Sequence, residues 1–365
     1  MRLALWFLAA AAIGQTLPKF EATTLATGLR GGYQVLPVDI NNDDRVDLLV
    51  LASGMSELFW LENPSWDRHV IAGDMSRMIN AAPVDVDDDG IPEIAVASLF
   101  ENVAAKSVGL VEILTHHGDP KQPWDKKEID RLTTSHRLRW FGDLLINAPL
   151  TGAKAVGPDF RDNVPIVAYR PGDWERVVID DSLQGVLHGI FVVRGGFLTA
   201  SFEGIHKFTK KGSGWKKELL TKGNTDPWPK SGSSDVTELK VKRKTLMAAI
   251  EPWHGNRVAV YEKNGHEWRR TVIDESLTDG HTIVAADFDR DGVDEIVAGY
   301  RGGTRGVLLY QRTKDNTWQR TVLDSGEIAA AACVPVDLDA DKRMDIVCIG
   351  SATQNLKWYR QLPRR

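Results

Sequence analysis

The sequence predicts an all-β fold, a seven-bladed β-propeller of four-stranded blades closed by its N-terminal strand. Three observations carry this reading. An aromatic-led, β-rich segment recurs seven times along the chain, at an average spacing of about 50 residues, the length of one propeller blade. Frequent Val/Ile/Thr runs between Gly-bounded turns favour strands over helices. The last repeat stops one strand short, and an orphan copy of the missing strand stands near the N-terminus.

The recurring segment runs from Trp66 to Ile71, Trp124 to Asp130, Trp174 to Asp180, Trp215 to Leu220, Trp268 to Asp274 and Trp318 to Asp324, with a degenerate copy from Phe20 to Leu25. Its aromatic is expected to pack blade against blade. Four β-like runs fill each repeat; in the sixth they are His281 to Asp287, Glu295 to Tyr300, Gly306 to Tyr310 and Trp318 to Leu323. The seventh has only Ala332 to Val336, Asp345 to Ile349 and Leu356 to Tyr359. Pairing Phe20 to Ala26 with that blade closes the ring and leaves no open seam.

Composition agrees. With 42% hydrophobic and 26% charged residues the chain is ordinary globular material, not disordered. Its 365 residues would suggest two domains by length alone, but closed β architectures run this long as one. A net charge of −5 and the lack of a Lys/Arg stripe argue against nucleic acid as a partner. Residues 1–14 read as a secretory signal: Arg2, then an apolar run from Leu3 to Ile13, then a small-x-small cleavage site ending at Gly14. Residues 15–365 would then be one exported propeller, periplasmic or extracellular. No later stretch approaches the ~18 apolar residues of a membrane span. Cys333 and Cys348 flank a predicted hairpin and could pair across it, though spacing alone leaves that open. No Ser/His/Asp triad, zincin helix, phosphate loop or dinucleotide fingerprint is present, which disfavours proteases, kinases and dehydrogenases.

Four blades carry a dense carboxylate loop between their first and second strands. The loops offer Asp39, Asn41, Asp43 and Asp47; Asp85, Asp87, Asp89 and Glu93; Asp287, Asp289, Asp291 and Glu295; and Asp337, Asp339, Asp341 and Asp345. Oxygens at positions 1, 3, 5 and 9, with the carbonyl of position 7, can wrap a hard cation, and the spacing suits structural Ca²⁺. Gly90 and Gly292 occupy position 6 in two loops; Asp44 and Lys342 replace glycine in the others.

These loops resemble the FG-GAP and VCBS repeat group of calcium-loaded secreted propellers. A narrower resemblance rests on Ser135 to Arg137, Ile250 to Gly255 and the run from Gly280 through Arg301 to Gly302. These segments are similar to the propeller domain of the aldos-2-ulose dehydratase/isomerase family. That resemblance implies a divalent-metal-dependent dehydration of a keto-sugar such as 1,5-anhydrofructose, performed in the propeller. The family carries cupin and lectin-like parts after it; this chain stops at the seventh blade, so no isomerase cupin is expected. The third blade departs from the pattern in having no acidic loop.

Topology then separates two faces. Each first strand starts on one face, the top, and ends at the bottom, where the acidic loops lie. His136, His188 and His281 open the first strands of blades three, four and six, so they are expected to rim the axial channel and to hold a borderline cation such as Zn²⁺, Mn²⁺ or Ni²⁺. Glu251 and His254 fall in the two-to-three loop of blade five, Arg301 in that of blade six, and Glu203 joins the same surface. The segment from Leu150 to Pro165 could lid the funnel. His69, His116, His117, His206 and His266 are read as surface. A cation on the imidazoles could polarise a sugar ketone. Glu251 or a non-ligating histidine such as His254 would then remove the adjacent proton and expel a β-hydroxyl as water. Arg137 or Arg301 would anchor hydroxyls of a small carbohydrate. Two other functions compete: a non-catalytic carbohydrate- or protein-binding propeller, and a polysaccharide lyase with an open top groove.

Overall fold

The structure is a computed structural model that describes residues 17–363; the signal-peptide reading over residues 1–14 lies outside them. The described chain forms seven four-stranded antiparallel sheets. Their first strands are Gly32–Val38, Asn80–Val84, Ser135–Phe141, Leu187–Val193, Asp235–Val241, Gly280–Ala286 and Ala330–Val336. Each first strand touches the next, and the seventh touches the first, so these strands enclose the axis. The seventh sheet is completed by Phe20–Thr27, which pairs antiparallel with Asn355–Gln361. The ring closes as the missing strand predicts.

Strand chemistry follows position in the blade. Second strands such as Asp47–Ala52, Glu93–Ser98 and Asp345–Gly350 are buried along their whole length, because neighbouring blades cover both faces. They therefore read as continuous apolar runs rather than as alternating ones. Fourth strands such as Asp125–Arg131 are charged and mostly exposed, which keeps the outer edges from pairing with other chains.

Seven apolar clusters sit at the seven blade interfaces, and each includes one copy of the repeat aromatic. Trp124 lies between blades one and two, Trp174 between two and three, and Trp215 between three and four. Trp268, Trp318, Phe20 and Trp66 serve the remaining four interfaces in order. The repeat is thus an interface repeat. Cys333 and Cys348, directly opposite in the seventh blade, are disulfide-bonded.

The aspartate that ends the aromatic segment latches successive blades. Asp130 accepts the Tyr169 hydroxyl at 2.5 Å and Arg176 Nε at 2.7 Å, both from the next blade. Asp274 does the same with Tyr310 at 2.9 Å and Arg320 at 3.2 Å, and Asp324 with Tyr359 at 2.9 Å and Lys357 at 2.6 Å. Burial alone would raise the pKa of Asp130 and Asp274. The hydrogen bonds and the cations outweigh it, so both carboxyls titrate below their ordinary value. Groups depressed in the folded state add stability that is complete above the unfolded carboxylate pKa, about 4, and is lost as pH falls through the folded value. Acidification below pH ~4 is therefore expected to lower the thermal midpoint of the native protein more than that of Asp274→Asn, measured by calorimetry at matched ionic strength.

Candidate metal centre

Five first strands carry a β-bulge at the same place, one residue in from the top of the blade. The residues bulged out of register are Tyr33, His136, His188, His281 and Ala331. A bulge re-aims a side chain that regular alternation would send elsewhere. Here it brings three imidazoles and a phenol together at the top of the channel. The first strand of blade five is regular, and its place is filled by His254 from the two-to-three loop, in the left-handed backbone region at φ 48°.

His188, His254 and His281 form one cluster, with ligand atoms all within 4.8 Å of one another. His188 Nδ1 lies 3.2 Å from the Ser234 carbonyl, and His281 Nδ1 lies 2.5 Å from that of Ala331. Each thereby donates Nδ1–H to the backbone and keeps Nε2 as a lone pair, the second-shell arrangement of metal-bound histidines. His254 Nδ1 lies 3.3 Å from Asp279 Oδ1, and its Nε2 is 3.3 Å from Nε2 of His188. Arg301 Nη2, which can only donate, also reaches that Nδ1 at 3.2 Å, so His254 keeps its proton on Nε2 and directs it at His188 Nε2, the place a cation on the trio would take. Burial, with Arg137 or Arg301 adding to it, holds His188 and His281 well below the ordinary imidazole range and pushes His254 down to about 4. All three are neutral at physiological pH, the form that binds metal.

The surroundings redistribute the roles expected from the sequence. His136 lies outside the trio; its Nε2 is hydrogen-bonded to Tyr33 Oη at 2.8 Å, and His254, expected to move protons, completes the cluster. Arg301 chelates Asp279 through Nε at 3.1 Å and Nη2 at 2.9 Å, with Nη2 also 3.2 Å from His254 Nδ1, so it orients the trio while lining the pocket. Arg137 is buried beneath the site, its Nε donating to the His188 carbonyl at 2.8 Å.

Glu251 does not face the pocket. Its carboxylate turns into blade five, bonded to Arg270 Nε at 2.8 Å and to the Tyr261 hydroxyl, where it acts as a structural ion pair rather than a base. Glu203 lies beside Gln184 and His206, away from the trio. His116 and His206, read as surface, have side chains only 5% and 6% exposed. His206 faces inward from the strand Gly204–Lys211, and His116, just past the strand Leu110–Thr115, packs against Trp124 at 5.5 Å.

The pocket over the trio holds about 350 Å³. Its walls include Trp253, Phe100 and Leu150, the last from the predicted lid segment. Phe160 of the same segment packs edge-on against Trp253 at 5.6 Å, and Asp159 accepts Trp228 Nε1 at 2.9 Å, so the segment forms an aromatic wall.

On the other face the acidic loops share one hydrogen-bond pattern. The position-1 aspartate accepts the amide of position 6: Asp44 on Asp39, Gly90 on Asp85, Gly292 on Asp287 and Lys342 on Asp337. The position-9 carboxylate accepts the amide of position 2, as in Asp47 with Ile40 and Glu295 with Phe288. Position 6 is left-handed in all four loops, with φ of 64° at Asp44 and 68° at Lys342, so the two loops without glycine keep the same turn. Ligand atoms converge in three: Asp85, Asp87 and Glu93; Asp287, Asp289 and Asp291; Asp337, Asp339 and Asp341. In the Asp39 loop the position-3 residue is Asn41, whose amide N donates to Glu62 at 3.3 Å while its Oδ1 stays a buried acceptor with no hydrogen-bond partner, and Asp47 is held by backbone amides.

The fold and these two sites define a seven-bladed propeller with three histidines clustered at its axis. Residues 20–96 match the FG-GAP-like repeat, and residues 108–264 match the β-propeller domain of aldos-2-ulose dehydratase. The chain is 22% identical over 347 residues to aldos-2-ulose dehydratase of Phanerodontia chrysosporium, an alignment covering 78% of this chain. It spans 38% of that relative's length. Among solved structures, the WD40 β-propeller domain of Doa1 superposes with a TM-score of 0.58 at 12% identity, covering 93% of this chain and 97% of its own. Citrobacter koseri AztD gives 0.51 at 10% identity, covering 91% and 85%. At such identity these two share the fold alone. Among the described residues, no helix is long and apolar enough to cross a membrane.

Proposed function

We propose that this protein is an exported metal-dependent hydro-lyase that dehydrates a small keto-sugar, of the 1,5-anhydrofructose type, in the axial pocket. The observation that carries the reading is the convergence of three neutral imidazoles whose Nδ1 atoms are held by the Ser234 carbonyl, by Arg301 and by the Ala331 carbonyl. A binding module has no need of that arrangement. The likeness to aldos-2-ulose dehydratase supports the substrate class. A pocket of about 350 Å³ suits one sugar ring better than a polymer, which speaks against a polysaccharide lyase.

His188, His254 and His281 would hold the cation, Zn²⁺, Mn²⁺ or Ni²⁺. When bound it supplies Lewis acidity toward a ketone oxygen. The protein's own groups do the rest. His136, kept neutral by burial, takes the proton from the carbon next to the ketone, and Tyr33 holds its ring in place at 2.8 Å. The C–H electron pair forms the new double bond, the β C–O bond breaks, and the proton leaves with the hydroxyl as water. Arg301 anchors sugar hydroxyls from the wall, and Trp253 gives an apolar face for the ring. A panel of keto-sugars followed by enone absorbance tests this: turnover that disappears on metal removal supports it. No turnover by metal-replete protein overturns it in favour of a binding module.

The acidic loops would hold Ca²⁺ as a brace. Asp85 Oδ1, Glu295 Oε1 and Asp339 Oδ1 are buried acceptors with no hydrogen-bond partner, the state a cation would relieve. A ligand that binds only the folded state at 100 times its dissociation constant adds about 2.7 kcal/mol. A calcium-selective chelator is therefore expected to lower the thermal midpoint by several degrees, and calcium to restore it. An unchanged midpoint after exhaustive chelation would remove the bracing role.

A further inference from the structure

A groove between blades five and six, on the face opposite the metal centre, has the chemistry of an anion site. It begins as a pocket of about 650 Å³ at the bottom turns. Lys242, Arg243, Lys244, Arg269, Arg312 and Lys314 line it, against two carboxylates, Glu262 and Asp291. Glu262 is already shared by Lys244 at 3.0 Å, Arg312 at 3.4 Å and Arg269 at 3.9 Å. One carboxylate serving three cations leaves the wall strongly positive, on a chain whose net charge is −5.

The backbone that carries the basic turn is fastened in place. The turn that carries Lys242 is fastened to the acidic loop of blade six: Lys242 N donates to the Gly292 carbonyl at 2.8 Å, Asp294 N donates to that of Lys240 at 2.8 Å, and Val241 bridges Val293. This is also the turn where blade five has Lys242, Arg243 and Lys244 in place of the carboxylate loop found in blade six. The pocket continues outward into a second one of about 270 Å³ that shares Glu262, Arg269, Arg312 and Asn316 and is walled by Trp318. The result is a groove with a basic turn at one end, Asn and Thr groups along it, and an indole at the other.

From this juxtaposition we infer that the groove binds an acidic oligosaccharide, a glycan bearing carboxylate or sulfate groups. Its anions would meet the basic turn and its sugar faces would lie along Trp318. A concave, mixed polar and aromatic groove fits a short glycan. A duplex nucleic acid or a membrane surface calls instead for an extended basic stripe. The site is separate from the axial pocket and does not depend on the lyase reading.

Calorimetric titration of the full chain tests this with an oligogalacturonate, a sulfated heparin-type oligosaccharide, a neutral maltooligosaccharide and inorganic phosphate. Binding of either acidic oligosaccharide, weakened by salt, with the neutral one inert, is the expected result. Lys242→Glu, Arg243→Glu and Lys314→Glu combined should weaken it by at least about tenfold, since each exposed charge pair carries up to ~1 kcal/mol. These side chains are exposed, so the variant should keep its thermal midpoint. The same reversal at Lys126, Lys127 and Lys216, exposed on other blades, should leave affinity within twofold, about the scatter expected of distant surface charges. The inference fails if the neutral sugar binds equally well, if phosphate binds as tightly as the oligosaccharides, or if the two triple variants lose affinity alike.

Discussion

Replacing His188, His254 or His281 by alanine is expected to abolish keto-sugar turnover, together with the transition-metal content, while the protein stays folded. Lewis-acid stabilisation is worth several kcal/mol of barrier, so losing it costs about three orders of magnitude or more in rate. His188→Ala leaves a small void at the channel mouth, and the blade interfaces, each filled by its own apolar cluster, stay intact. His136→Ala and Tyr33→Phe separate proton transfer from metal binding. They should retain metal, yet His136→Ala should lose roughly 10²–10⁴-fold in turnover, the usual contribution of a positioned acid–base group. Glu251→Gln should behave differently from both. It leaves a half-exposed Arg270 without its partner but also removes a carboxylate whose burial is costly, so its effect should appear as a modest shift of the thermal midpoint and not in turnover. Asp289→Ala, on the opposite face and bonded to Gln311 at 2.6 Å, should also act through stability. Metal analysis and kinetics at a temperature where every variant is folded would decide. Full activity in metal-free His188→Ala would remove the trio from the chemistry.

What the sequence exposes and what it hides follow from repetition. Blade number, ring closure and interface aromatics recur with one period, so seven noisy copies reinforce one another. The segment ending in Asp130, Asp274 or Asp324 also recurs, and its latch to Tyr169, Tyr310 and Tyr359 could have been found by aligning those third-strand tyrosines. The histidine cluster is only half legible. That His136, His188 and His281 reach the top of the channel follows from strand order, but which imidazole completes a trio depends on five bulges and one left-handed residue. A bulge leaves no period in the residue pattern. Glu251 shows the same limit: read from the sequence as part of the two-to-three loop, it ends the second strand Lys244–Glu251 instead, and nothing in the residue pattern says which side of the blade receives its carboxylate. Arg270, nineteen positions later and across two strands, settles that by pairing with it.

Deleting residues 17–27 is expected to destroy the folded monomer. Phe20–Thr27 is the outer strand of blade seven, matched residue for residue from Phe20 opposite Gln361 to Thr27 opposite Asn355, with one irregularity between Thr24 and Ala26. Its loss strips partners from Asn355–Gln361 and removes Phe20 from the cluster between blades six and seven, where it packs edge-on against Phe288 at 5.8 Å. Each backbone hydrogen bond contributes about 1 kcal/mol net, and the half-buried Phe20 ring about 1–2 kcal/mol more. Set against a total stability of about 5–15 kcal/mol, that loss leaves little. It also bares the edge of a long strand, a template for pairing with other chains. Because this strand joins the two ends of the chain, no neighbouring blade can replace it. Size-exclusion chromatography of the truncated protein should show aggregate in place of monomer, and a peptide spanning Pro18 to Gly28 added during refolding should recover monomer. A truncated chain that remains monomeric with an unchanged midpoint would show that the other blades hold the ring without this strand.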